Sequence, residues 1–213
     1  IYASYAVCAR DCLEAEAYRD TLKYTKMAFG VSVANGGAWM EDFVIKVLCY
    51  EKEAWIGLGE HAKYLDVATR RARSMANHPS VPRDEVVSAL CEIATVQIDL
   101  DDYQAAEKTA RAAVRVEGVR PASRNTARMK LGVALGCLNF TDEALQELEQ
   151  CERDWTMSVE GTRWSPQDMV ESKKVLDFSL ENLRKHFAKH GTTMETPVAP
   201  ERRAETPTSG TSE

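Results

Sequence analysis

The sequence has no apolar run approaching the ~20 residues that cross a bilayer, so a transmembrane helix is excluded. Its opening, IYASYAVCAR, lacks the basic start and apolar block of a signal peptide. Because it begins with Ile1 rather than methionine, the chain is expected to be a fragment or processed product, from which any targeting segment could already be gone. No stretch alternates with a period of two, which argues against strands. There is no glycine-rich phosphate loop, since NGGAW (35–39) has neither the spacing nor the lysine. The four histidines, at 61, 78, 186 and 190, are too scattered to pair with a nucleophile. No C-x-x-C pair occurs among the six cysteines, at 8, 12, 49, 91, 137 and 151. Cys8 with Cys12, or His186 with His190, would supply two metal ligands, whereas a structural zinc site takes four. Neither a metal nor a cofactor is therefore expected, and no catalytic residue is assigned. The cysteines lie mostly among apolar neighbours and read as buried free thiols of a reducing, cytoplasmic compartment. A net charge of −6 argues against nucleic acid and anionic membranes as partners.

What is present is helical periodicity almost throughout, cut by VANGGAW (33–39), ANHPSVPRD (76–84), EGVRPAS (117–123) and TMSVEGTRWSP (156–166). The pieces between these breakers are long enough for a helix pair each. They are also similar to one another. LDDYQAAEKTARAAV aligns with LNFTDEALQELEQCE so that Tyr103 meets Thr141, Ala106 meets Ala144, Ala110 meets Leu148 and Ala113 meets Cys151. One interval of 38 residues further back from Ala106 (106 to 68) lies Ala68, with Leu65 in the aromatic column and Met75 in the later small column. Tyr18, Thr21 and Ala28 form a weaker first copy. A helical segment such as 100–116, with Ala106, Ala110 and Ala113 on one face, buries little side chain unless its neighbours come unusually close. Its other face carries Glu107, Lys108, Arg111 and Arg115, a solvated surface with an acidic-first pair at i,i+4.

These columns resemble the tetratricopeptide repeat, a helix-turn-helix unit with Leu-Gly on its first helix and Tyr and Ala positions on its second. KLGVALGCLNFTDEAL and IDLDDYQAAEKTARAAV match best. AWIGLG (54–59) also looks like the repeat's opening Trp-x-x-Leu-Gly, although that register disagrees with the one set by Ala68. The interval exceeds the family's usual ~34 residues and is similar to that of kinesin light chain and the Leu-Gly-Asn-repeat adaptors. The resemblance implies an all-α, right-handed superhelical solenoid of about four hairpins over residues 1–155. An ordinary antiparallel helical bundle is the competing architecture.

Residues 156–190 read as a linker and a C-terminal helix that caps the last hairpin, with Ser165, Pro166 and Asp168 at its start and Gly191 at its end. A docking helix for a partner is the other reading of this segment. Residues 191–213, rich in Thr, Pro, Glu and Ser, bury too little to order and are expected to be disordered. Their Thr-Pro steps at 196–197 and 206–207 suit a proline-directed kinase.

The resemblance further implies a non-catalytic scaffold or adaptor that holds a peptide or helix of a partner protein in a concave groove lined by first helices. By register the groove residues are Arg10 and Glu14, then Tyr50, Glu53 and His61, then Ser88, Thr95 and Asp99, then Thr126, Met129, Lys130 and Val133. A constitutive subunit of a large assembly is the alternative. An enzyme or small-ligand sensor is a third class, which a closed polar pocket would favour. Chaperone-binding members grip a carboxylate with Lys, Asn and Arg. The corresponding places here hold Glu53, Gly57, Cys91, Thr95, Met129 and Val133, which argues against a heat-shock co-chaperone. Arg120, Arg124 and Arg128, with Lys130, form a basic strip expected to lie outside the groove.

Overall fold

The structure, a computed structural model, describes residues 2–35 and 39–159 together with Lys173, Lys174, Asp177 and Glu181. Eight helices and no strands occur among the described residues: α1 (Tyr2–Glu14), α2 (Tyr18–Asn35), α3 (Trp39–Gly57), α4 (His61–Asn77), α5 (Arg83–Asp99), α6 (Tyr103–Val114), α7 (Pro121–Cys137) and α8 (Thr141–Val159). They pair as α1/α2, α3/α4, α5/α6 and α7/α8. The second helix of each pair packs on the first helix of the next. The chain is thus an all-α helical repeat solenoid, with four hairpins among the described residues, as the alanine faces require.

The repeat is defined by its turns. Each first helix ends in a residue of positive φ: Glu16 (55°), Gly59 (71°), Asp101 (59°) and Asn139 (64°). The N–H of that residue bonds back to Leu13, Ile56, Ile98 and Gly136 at 2.9–3.1 Å, and the next N–H reaches Cys12, Trp55, Gln97 and Leu135 at 2.8–3.0 Å. Paired bonds of this kind around a left-handed residue are a Schellman stop, which satisfies orphan carbonyls and turns the chain back. Four repetitions give an unambiguous register, with intervals of 43, 42 and 38 residues from 16 to 59, 59 to 101 and 101 to 139.

Five residues after each stop comes the first inward station of the second helix. Thr21, Tyr64, Ala106 and Ala144 occupy it, each N–H bonding to the residue four back at 2.9–3.0 Å. All four are fully buried. Ala106 and Ala144 are therefore equivalent, and Thr21 with them, as expected. Ala68 is not: it lies one helical turn later, at the station of Ala110 and Leu148, so Tyr64 is the true counterpart of Ala106. The aromatic column likewise passes through His61 rather than Leu65. AWIGLG is not the opening of a first helix either, because Gly57 ends α3 and Leu58–Gly59 form the stop. The shared alanine column led the alignment astray, since alanines at 68 and 72 recur one turn apart.

The matching station on the first helix, seven residues before each stop, holds Ala9, Lys52, Ala94 and Gly132, all buried. At Gly132 the helices touch: an added Cβ would stand 2.5 Å from Leu148 Cγ and 3.3 Å from the Ala144 carbonyl. Lys52 and Tyr64 together break the small-on-small pattern in the second hairpin. Around Tyr64 the core gathers Ala68, Ala72, Met75, Val86, Ala89 and Ile93 from α4 and α5. Another cluster joins Ala94, Ala110, Leu131, Leu135 and Ala144 across the third and fourth hairpins.

The surface face of α6 bears the expected Glu107–Arg111 pair, and Arg111 also reaches Glu143 of α8 at 2.7 Å. All six cysteines are free, but only Cys91 and Cys151 are buried. Cys137 is exposed, because its station beside the hairpin turn faces out. The expected capping helix, its caps and the 191–213 tail lie outside the described residues, apart from four helical positions. Of these, Lys173 lies 3.7 Å from Glu152 on α8.

Candidate partner-binding groove

The first helices form one side of the array, with α1 packed on α3 and α5 packed on α7. Between the N-terminal halves of α5 and α7 lies an open cleft of about 320 Å³, lined by Asp84, Glu85, Val87, Ser88, Cys91, Arg120, Ser123 and Thr126. Helical spacing puts Ser88, Cys91 and Thr95 on one face of α5, and Ser123, Thr126 and Lys130 on the facing side of α7. Two of the hydroxyls are turned to their own backbone. Thr95 Oγ1 donates to the Cys91 carbonyl at 2.9 Å, and Thr126 Oγ1 donates to the Ala122 carbonyl at 3.1 Å.

One ion pair lies at the mouth of the cleft. α7 begins with Arg120 at its N-cap, which offers no capping side chain, and Pro121 follows. Its orphan donors are met from outside. Asp84 Oδ1 accepts the Arg120 backbone N–H at 3.0 Å, and Asp84 Oδ2 accepts Arg120 Nε at 2.9 Å. A carboxylate at a helix N-terminus also meets the favourable end of the helix dipole. Burial raises the Asp84 pKa, but hydrogen bonds from Ser123 and Arg120 outweigh it, so the net shift is downward from 3.8. A depressed folded pKa means the contribution is complete above the ordinary carboxylate value and is lost as pH falls through the lower folded one. Thermal melts repeated from roughly pH 5 down to pH 2 should therefore show Asp84→Asn less acid-sensitive than wild type, with melting temperatures converging at the acid end. Parallel curves would refute the pairing.

Burial pushes the Cys91 thiol up to about 12, against a smaller lowering by Lys130. At neutral pH it is a protonated, apolar patch of the cleft wall rather than a nucleophile.

The structure places the expected groove residues as follows. Arg10 and Glu14 are exposed on α1, where they pair at 3.6 Å, and Arg10 also holds Asp11 at 2.8 Å. Tyr50 and Glu53 are half-buried on α3; Ser88, Thr95 and Asp99 lie on α5; Thr126, Lys130 and Val133 lie on α7. Of these, Ser88 and Thr126 line the cleft. Two expectations need correction. Met129 is only 7% exposed, and its flexible side chain fills space against Leu148 and Cys151 of α8 rather than facing the groove. His61 starts α4, a second helix, so it stands outside the row of first helices. The basic strip is also divided. Arg120 is drawn to Asp84 at the cleft mouth, while Arg128 is held by Asp154 at 3.0 Å and Glu147 at 3.7 Å.

Sequence reasoning passed over Asp84, Ser123 and the placement of Arg120. The available signal was a helix opening on Arg-Pro with no side-chain cap of its own, which needs a donor-satisfying group from elsewhere. Among the described residues, no three His, Cys, Asp or Glu side chains are grouped to hold a metal ion, and no helix is long and apolar enough to cross a membrane.

An open row of first helices on stacked hairpins defines the class: a TPR-like helical repeat fold. No family model and no curated protein sequence matches the chain. Solved structures do. The chain is similar to a Podospora anserina kinesin light chain-like protein with nearly identical TPR-like repeats, at TM-score 0.52 and 14% identity over 90% of this chain and 97% of that one. A point-substituted form of that Podospora protein matches at TM-score 0.54 and 14% identity, over 88% and 94% of the two chains. At this identity the likeness is one of fold.

Proposed function

We propose that the protein is a non-catalytic adaptor that holds a peptide or helix of a partner protein along its row of first helices. The observation that carries this reading is the open cleft between α5 and α7, with hydroxyls, a thiol and a charged mouth on a rigid two-helix floor. Such a surface offers hydrogen bonds to an extended chain and apolar wall to its side chains. Ser88 of α5 and Thr126 of α7 both line it and are the residues we assign to contact. Thr95, Lys130, Tyr50 and Glu53 extend the row.

Filling the cleft tests the assignment. Ser88 is exposed and Thr126 half-buried, so Ser88→Trp should leave the melting temperature unchanged while obstructing the floor. With the full chain as bait, proteins recovered by wild type should be depleted at least ~10-fold by Ser88→Trp, the loss of about 1.4 kcal/mol or more expected at a central contact. Thr126→Arg should act in the same direction. Equal recovery by all three baits would place binding elsewhere, and recovery of small molecules without protein would overturn the adaptor reading.

A further inference from the structure

The junction between the second and third hairpins is built unlike the others. α1 packs directly on α3, and α5 on α7, yet among the described residues no Cα of α3 comes within 8 Å of a Cα of α5. The gap falls where the small-residue pattern breaks, at Lys52 and Tyr64. Lys52 is a cation at a station that elsewhere holds Ala9, Ala94 and Gly132, and it is only 4% exposed. Its ammonium crosses the gap to the Glu92 carboxylate of α5 and binds Glu53 of its own helix at 3.0 Å. The Tyr64 ring lies 5.9 Å from the same ammonium. Burial would discharge Lys52, but the two carboxylates outweigh it and hold it charged. On the opposite side of the junction α4 and α5 remain in ordinary apolar contact, with Ala68 and Met75 packed among Val86 and Ala89.

An apolar seam on one side and a charged strut on the other is the construction of a hinge. Apolar contacts are non-directional and let packed helices tilt with little loss, whereas an ion pair has one reach and one geometry. We propose that the α4–α5 seam is the pivot between two rigid halves, the helices α1–α4 and the helices α5–α8, and that Lys52–Glu92 is the latch that sets the angle between them. Opening the latch changes the curvature of the row of first helices without disturbing any hairpin. The inference does not depend on what the groove holds.

The test is a distance distribution between two spin labels, attached by non-thiol chemistry at Arg19 on α2 and Gln146 on α8, both exposed. The full chain should give one narrow distance. Glu92→Ala, which removes the partner across the gap, should broaden the distribution and add a population at a different separation. Lys52→Met should do the same. Should Lys52→Met fail to fold by circular dichroism, Glu92→Ala, at a half-buried site, still decides. Asp84→Asn cuts the ion pair between α5 and α7, where the helices also pack directly, and should leave the wild-type distribution. A Glu92→Ala trace superimposable on wild type, or an Asp84→Asn trace equally broad, would overturn the hinge.

Discussion

Replacing Tyr64 by alanine is expected to lower the melting temperature by roughly 6–20 °C, the equivalent of about 3–5 kcal/mol for an aromatic core truncation in a chain of this size. The side chain is fully buried, and it stands where the other hairpins carry Thr21, Ala106 and Ala144. Helix α4 is therefore set for a large residue at this station. Its neighbours Ala68, Ala72 and Ala89 have no reach with which to fill the space, so the cavity persists. Tyr64→Phe should cost far less. The hydroxyl lies beside Glu92, and burial first, then that carboxylate, push its pKa above the ordinary tyrosine value, so only a neutral O–H is lost. A calorimetric scan separates the two variants. Because each hairpin touches only its neighbours, Tyr64→Ala should also weaken cooperativity and split the transition between the two halves. An alanine variant that melts within a degree or two of the phenylalanine variant would mean that Tyr64 is not central to the core.

Small-residue faces made the architecture legible. Ala106, Ala110 and Ala113 on one face require close-approaching neighbours, and their alignment with Ala144, Leu148 and Cys151 located the third and fourth hairpins correctly. The second hairpin was misread for a physical reason. Its register is set by backbone geometry at the Schellman stop, and a left-handed residue is conspicuous in sequence only when it is glycine. Glu16 and Asp101 adopt positive φ without being glycine, so two of the four stops look like ordinary surface acid. Gly59 is conspicuous, but it stands in Trp-x-x-Leu-Gly, which resembles the opening of a repeat. With Tyr64 and Lys52 in place of small residues, no column remained to correct the error. The groove was legible only in outline. Knowing which helices come first nominates Ser88 and Thr126, but whether a residue such as Met129 turns outward or fills space against α8 depends on packing that periodicity does not encode. The Asp84–Arg120 mouth joins residues of different hairpins, and a local pattern cannot display such a pair.

The second large effect is expected at Gly132, where contact between helices, not chain flexibility, demands glycine. In a helix interior, alanine is favoured over glycine by about 1 kcal/mol, so two glycine substitutions can be set against each other. Gly30 on α2 has nothing within 4 Å of where a Cβ would be, and Gly30→Ala should gain up to about 1 kcal/mol, a rise of ~2–4 °C. A Cβ at Gly132 meets Leu148 at its branch carbon, 2.5 Å away, and the fully buried Leu148 cannot swing clear. The Ala144 carbonyl at 3.3 Å blocks the other side with backbone. Gly132→Ala should therefore lose stability despite its better propensity, and Gly132→Val should lose more, toward about 3 kcal/mol, as overpacked cores do. Because α7 and α8 form the last described hairpin, the loss should appear as early melting of that end while the first two hairpins hold. Leu148→Ala in the Gly132→Val background tests the cause, since removing the obstructing side chain should recover part of the loss. If the two substitutions instead destabilise additively, the helices are not in contact at this station and the small-on-small register is wrong.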